Sequence, residues 1–177
     1  GKYTYTSLCK ADSTNTFLVC KGNFEGPMNL WLVNDKWTQL SNINPQQADY
    51  AWGKPELFQW KAFDGTPLDG VLYKPDNFDP NKKYPVIVYF YERNSESLYR
   101  YFSPAPSRSI VNIPYFVSNG YIVFVPDVVY KVGHPGKSAY NCIVAGAKAL
   151  AANKWVDSSH MAIQGQSWGG YQVAYLI

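Results

Sequence analysis

The sequence predicts an α/β fold in which a mostly parallel sheet, covered on both faces, follows a separate run of short antiparallel strands. Three observations carry this expectation. Over the first fifty residues, short aromatic and β-branched runs recur between turn-forming residues. From about residue 85, apolar runs of strand length alternate with helical stretches, the pattern of a sheet buried on both faces. Between the two, Asn42 to Pro55 lapses into Asn, Gln, Pro and Gly, which marks a connection between domains.

In chain order, the first strands are expected at Tyr3 to Cys9, Thr16 to Lys21, Asn29 to Val33 and Lys36 to Leu40. Asp12 to Asn15 forms one turn, and Asn34-Asp35 reads as a two-residue hairpin loop whose side chains tolerate positive φ. Four antiparallel strands in about forty residues is the size of one β-propeller blade. A single blade does not bury both its faces, so neighbouring blades are expected upstream.

After the connection, Glu56 to Phe63 and Leu68 to Lys74 form a hairpin around Asp64-Gly65-Thr66-Pro67, an antiparallel edge for the sheet that follows. Pro85 to Tyr91 and Tyr121 to Pro126 are apolar strands, with a helix ending at Tyr115 to Asn119 between them. Ser138 to Asn153 is helical in character, and Met161 to Gln164 reads as a third buried strand.

Composition narrows the function. The 177 residues are 46% hydrophobic and 16% charged, an ordinary globular balance that excludes general disorder. Aromatics reach 17%, with 15 Tyr and 6 Trp, which suits packing on pleated sheet faces. The net charge of +3 is dispersed without a basic run, so nucleic acid is not expected as a partner. No run of 18 apolar residues is present, and no membrane span is expected within the chain. The chain shows no signal-peptide pattern at its start, so the sequence leaves localisation open between cytoplasmic and extracytoplasmic, and oligomeric state open as well. Cys9, Cys20 and Cys142 lack the C-x-x-C spacing of zinc or redox sites; the odd count leaves at least one free thiol even if two pair, and all three read as free, buried thiols.

The chemistry concentrates near the end of the chain, in Gly165-Gln166-Ser167-Trp168-Gly169-Gly170. A serine at a sharp strand-to-helix turn needs small residues two before and two after it, because side chains there collide across the turn. Gly165 and Gly169 meet that need, with Gly170 extending the small stretch. Met161 to Gln164 before the motif and the apolar, helix-compatible Tyr171 to Ile177 after it supply the strand and helix that a nucleophile elbow requires. Ser167 is therefore the expected nucleophile. The backbone N–H of Trp168 supplies one oxyanion donor. The second donor should come from the end of the strand Pro85 to Tyr91, where the phenol of Tyr91 is the candidate, although a Tyr at a strand end is more often packing.

These residues carry a resemblance. Gly-Gln-Ser-Trp-Gly-Gly is similar to the Gly-x-Ser-x-Gly-Gly of the prolyl oligopeptidase family of serine peptidases, in particular its dipeptidyl peptidase IV-like branch. Trp60 to Gly65 with Leu68 to Pro75 resembles the start of that family's catalytic domain, and Tyr84 to Tyr91 resembles the strand whose last Tyr donates to the oxyanion. The resemblance covers Trp52 to Ile177, and extends to the preceding strands as a blade. It implies residues 1–52 as the last blade of a β-propeller and residues 53–177 as the first half of an α/β-hydrolase domain, a doubly wound sheet incomplete within this chain. It also implies a cofactor-free peptidase that acts on short peptides, often after proline. The sequence departs from the family pattern at Glu92-Arg93-Asn94, where a Gly-Gly-Pro loop is usual, and at Asp127 to Lys131, where an Arg-Gly segment is common. Substrate preference does not transfer across those departures.

In this arrangement the acid and the base follow the serine, and only ten residues follow Ser167. His134 and His160 precede it and read as structural. The triad partners are thus expected from the remainder of the same polypeptide, with the isolated chain inactive. A carboxylesterase on the same fold, and a propeller interaction module with a non-catalytic hydrolase appendage, stand as alternatives.

Overall fold

A computed structural model describes residues 2–103, 105 and 109–177, with Ser7 described by its backbone alone. The chain divides into two compact units, Gly1–Ala51 with Tyr99–Ser103, and Trp52–Leu98 with Pro104–Ile177.

The first unit is a four-stranded antiparallel sheet in sequential order: β1 (Thr4–Lys10), β2 (Phe17–Gly22), β3 (Asn29–Val33) and β4 (Trp37–Gln39). The expected two-residue loop between β3 and β4 is corrected to three residues, because Val33 pairs with Trp37. Lys36 N donates to the Asn34 side chain at 3.1 Å, and Asn34 N donates to the Lys36 carbonyl at 3.1 Å. An Asx-type turn thus closes the hairpin without positive φ at either residue. Few strand residues are buried. Lys21 instead lies over the rings of Tyr3, Trp31 and Trp37 at 4.4, 4.9 and 5.2 Å from their centroids. Its ammonium sits on the negative faces of three rings that cross-strand pairing brings together.

Tyr99–Ser103 belongs to this unit because its rings reach residues of the first fifty. Phe102 packs edge-on against Phe24, and the Tyr101 hydroxyl donates to the buried Gln47 side chain at 3.0 Å. The sequence pattern alone places these five residues with the second unit.

The second unit is a five-stranded sheet: β5 (Lys54–Lys61), β6 (Pro67–Lys74), β7 (Tyr84–Tyr89), β8 (Ile122–Pro126) and β9 (Val156–Gln164). The order is β5-β6-β8-β7-β9, with β5-β6 and β6-β8 antiparallel and β8-β7 and β7-β9 parallel. The hairpin therefore supplies the antiparallel edge, and its turn rests on Gly65 at φ +88°. Every residue of β8 is buried, as a central strand covered on both faces requires.

The helices are α1 (Ile113–Ser118), α2 (Pro135–Ala139), α3 (Ala145–Ala151) and α4 (Trp168–Leu176). A π-helical turn, Tyr140–Val144, joins α2 to α3, so the expected helix starts earlier than Ser138, with Pro135 in its first turn. The π turn frees carbonyl oxygens from the helical ladder. Cys142 O accepts from the Trp60 indole at 3.1 Å and Asn141 O from Phe63 N at 3.3 Å. These bonds fasten the β5–β6 hairpin to the helix over a core that includes Trp60, Leu72, Phe124, Ile143 and Leu150.

The strand before Ser167 differs from the expectation. It runs nine residues rather than four, with a register jump: Tyr84 faces Val156, while Val86 already faces Met161. Met161 and Ile163 are half-buried and Ala162 is exposed, because β9 lies at a sheet edge. The thiols are corrected in part: all three are free, but Cys9 is exposed, Cys20 half-buried and Cys142 buried. No helix of the described residues is long and apolar enough to cross a membrane.

Candidate active site

β9 ends at Gln164 and α4 begins at Trp168, leaving Gly165, Gln166 and Ser167 to make the turn. Ser167 takes φ 54° and ψ −114°, one of two non-glycine residues with positive φ among those described. Such a conformation costs on the order of 1–3 kcal/mol and is held only where the surroundings fix it. The surroundings here are two close backbone approaches. A Cβ on Gly165 would collide with the backbone of Gly169, and a Cβ on Gly169 would lie 2.5 Å from the Phe90 carbonyl oxygen. Gly170 is different: its Cβ would meet nothing nearer than the Gly165 oxygen at 3.7 Å, an ordinary contact. Gly169 N donates to the Gln166 carbonyl at 2.8 Å, and Tyr171 N to the Ser167 carbonyl at 3.1 Å, completing the passage from turn to helix. The result is an exposed serine at the apex of a strand–turn–helix.

β7 ends at Tyr89, so Tyr91 stands two residues beyond the strand, in the following loop. Its side chain is part-exposed, and its Cδ2 lies 3.8 Å from the position a Gly169 Cβ would take, so the ring lies beside the elbow. Asp127, buried just after β8, holds this loop in place. Its carboxylate accepts from Asn94 N at 2.6 Å, Ser95 N at 2.9 Å and the Ser95 hydroxyl at 2.5 Å. A buried carboxylate needs such donors, and here they come from Asn94 and Ser95 in the loop after Tyr91.

Two residues that sequence reasoning did not single out join the site. The Tyr130 hydroxyl donates to the Tyr91 carbonyl oxygen at 3.0 Å and accepts from the Trp168 indole N–H at 2.9 Å. Gln172, fully buried on α4, donates from its amide nitrogen to the Tyr91 carbonyl oxygen at 3.0 Å and to the Tyr130 hydroxyl. Burial pushes the Tyr130 phenol above its usual range, assisted by the nearby Glu92 charge and opposed by the bonds from Trp168 and Gln172. The hydroxyl therefore keeps its proton, and its role as donor, throughout the neutral range. The sequence did offer one signal for Asp127, an acidic residue directly after a fully apolar strand. It offered none for Tyr130 and Gln172, whose bonds join distant chain segments.

The histidines lie elsewhere. His160 is exposed and its Nδ1 pairs with Asp157 at 2.8 Å; hydrogen bonds from Ser159 and then His160 hold the Asp157 carboxyl below its usual range. The His134 carbonyl oxygen accepts from the Ser138 amide and hydroxyl, and its side chain lines a cavity of about 390 Å³ with Lys131, Lys137, Phe63 and Tyr140. Ser167, Tyr91 and Trp168 are not among the residues that line it. Among the described residues neither histidine is hydrogen-bonded to Ser167.

Comparison with known proteins agrees with the geometry. Residues 106–177 match the model of the prolyl oligopeptidase family. Probable dipeptidyl-aminopeptidase B of Aspergillus clavatus is 36% identical over 174 residues, covering 84% of this chain and 18% of that protein. The protein of the same name from Ajellomyces dermatitidis is 35% identical over 175 residues, with the same coverage. The chain thus spans under a fifth of the length of these curated relatives. Among solved structures, acylaminoacyl peptidase from Pyrococcus horikoshii superposes with a TM-score of 0.73 at 20% identity, covering 99% of this chain and 29% of that one. Dipeptidyl peptidase 4 from Porphyromonas gingivalis gives 0.70 at 22% identity, covering 98% and 26%. These likenesses establish the fold as α/β-hydrolase preceded by propeller-type antiparallel strands. The elbow, the sequence relatives and the fold agree: residues 106–177 match the prolyl oligopeptidase family, and the chain is similar to peptidases of that kind.

Proposed function

We propose that this chain supplies the nucleophile and the oxyanion donors of a serine peptidase, with an acyl-enzyme formed at Ser167. The observation that carries the reading is the Ser167 backbone: a positive-φ, exposed serine between a strand and a helix, wedged by Gly165 and Gly169. That geometry presents the hydroxyl to a substrate carbonyl while the Trp168 N–H starts the helix beside it. As Ser167 Oγ attacks, the carbonyl oxygen gains charge, which the Trp168 N–H and the Tyr91 phenol stabilise by donating to it. The Ser167 proton passes to a general base outside the described contacts, from sequence that the longer relatives carry. The base then returns that proton to the leaving amine, and water releases the acyl group by the same path reversed.

Two further assignments belong to the same reading. Residues 1–52 are a propeller blade and residues 53–177 the first half of the catalytic domain, with a propeller limiting access to short peptides. The names of the relatives, dipeptidyl-aminopeptidases, support a peptide as substrate. A fluorophosphonate probe tests the chemistry in the full-length protein. It is expected to label Ser167, and Ser167→Ala should remove both labelling and turnover of chromogenic dipeptides. Turnover that survives Ser167→Ala would refute the assignment. Preferential cleavage of simple acyl esters over dipeptides would convert the reading to an esterase.

A further inference from the structure

We propose that Tyr130 is a positioning residue for the oxyanion site, its hydroxyl setting the separation of Tyr91 and Trp168 by bonding to both. The inference rests on the reading above, in which those two residues donate to the oxyanion.

The two donors belong to different segments, one in the loop after β7 and one at the start of α4, so no local geometry fixes their separation. Tyr130 lies in a third segment, after β8, and its hydroxyl meets both. It donates to the Tyr91 carbonyl oxygen at 3.0 Å and accepts from the Trp168 Nε1–H at 2.9 Å. A phenol hydroxyl has one proton to give and room to accept, and the Gln172 amide fills that remaining room. Gln172 gives its other proton to the Tyr91 carbonyl oxygen at 3.0 Å, which closes a four-residue network. Gln172 is fully buried, and no partner among the described residues meets its Oε1. The amide orientation therefore favours its two donations over satisfaction of its own oxygen.

The bonds rather than the rings do the positioning. The Tyr130 and Trp168 rings are tilted by 57° with centroids 6.0 Å apart, a contact that survives removal of the hydroxyl. The Trp168 ring is also stacked on Tyr171 at 4.9 Å. Tyr130→Phe should leave the packing in place and release the tether between the donors. Displacements of about 1 Å in a reacting site reduce rates by roughly 10²-fold.

The test is a set of variants of the full-length protein assayed on a chromogenic dipeptide. Tyr130→Phe is expected to lower kcat by about 10- to 100-fold with KM changed less than about twofold, the signature of an interaction used in the transition state. In a Tyr91→Phe background the same substitution should cost less than about threefold, since the phenol to be positioned is already gone. A merely structural Tyr130 predicts equal losses in both backgrounds, and that result overturns the proposal, as does unchanged kcat in Tyr130→Phe. Trp168→Phe keeps the backbone N–H and the stacking but loses the indole donor. It should lower kcat in the same sense, and it decides the matter should Tyr130→Phe fail to fold; unchanged kcat there also overturns the proposal. The underlying reading fails separately: turnover that persists in Ser167→Ala, or is unaffected by Tyr91→Phe, removes the oxyanion assignment and the positioning role with it.

Discussion

The two sheets of this chain use similar residues to different ends. In the second unit, β8 buries all five of its residues, and its Phe124 packs edge-on against Trp60 at 5.4 Å and Phe58 at 5.5 Å. In the first unit, β3 buries none of its five residues completely, and its Trp31 meets Trp37 and the Lys21 ammonium at a half-exposed surface. Aromatic richness alone does not distinguish a core from a surface. Alternation and helical cover do: aromatic side chains between sheet and helix are held by dispersion and excluded water, whereas those of the first sheet lean on one another and on a cation.

The sharpest way to break this contrast is to remove a ring from each side of it. Phe124→Ala should destabilise the second unit by about 3–5 kcal/mol, read by denaturant unfolding, because it leaves a cavity that covered strands do not collapse to fill. A loss below about 1 kcal/mol would mean that β8 is not the packing centre. The elbow comes next. Gly169→Ala forces the turn away from the Phe90 carbonyl and should cost roughly 1–3 kcal/mol together with most of the activity. Gly170→Ala has room and should stay within about 0.5 kcal/mol. Equal effects at the two glycines would show that the small-residue stretch matters for flexibility rather than for the approach to Phe90. The smallest effect belongs to the first sheet. Lys21→Met keeps the aliphatic stem and removes the charge, for an expected loss of about 0.5–1 kcal/mol, detected by faster amide exchange in β2 and β3.

What the sequence disclosed, and what it withheld, follows the range of the interactions. The strands of the first unit were legible because alternation and turn residues act within a few positions, and β3 starts and stops where the pattern predicts. Ser167 was legible because Gly165 and Gly169 answer a local steric demand. The sequence pattern of β9 stops short because Asp157-Ser158-Ser159 resembles a loop, while the sheet carries it as strand through a register jump. Tyr99–Ser103 and Tyr130 were not legible for a common reason: their partners, Gln47, Phe24, Tyr91 and Gln172, lie some forty to eighty residues away, and no periodicity encodes a hydrogen bond across such a distance. The departure at Asp127 to Lys131 was visible as a change of pattern, but only the folded chain gives Asp127 and Tyr130 their tasks.

The sulfur atoms turn the two-unit architecture into something a mass spectrometer can follow. Cys9 stands exposed in β1, within reach of an alkylating reagent in the folded chain. Cys142 is buried in the π turn, where desolvation pushes its thiol up and disfavours the reactive thiolate. Alkylation at Cys9 therefore starts at once, while alkylation at Cys142 waits for the helix over the Trp60 hairpin to open. Peptides carrying each adduct, quantified over time in rising denaturant, give two clocks from one sample. The delay of the second behind the first measures how long the interior of the second unit stays closed, without any engineered label.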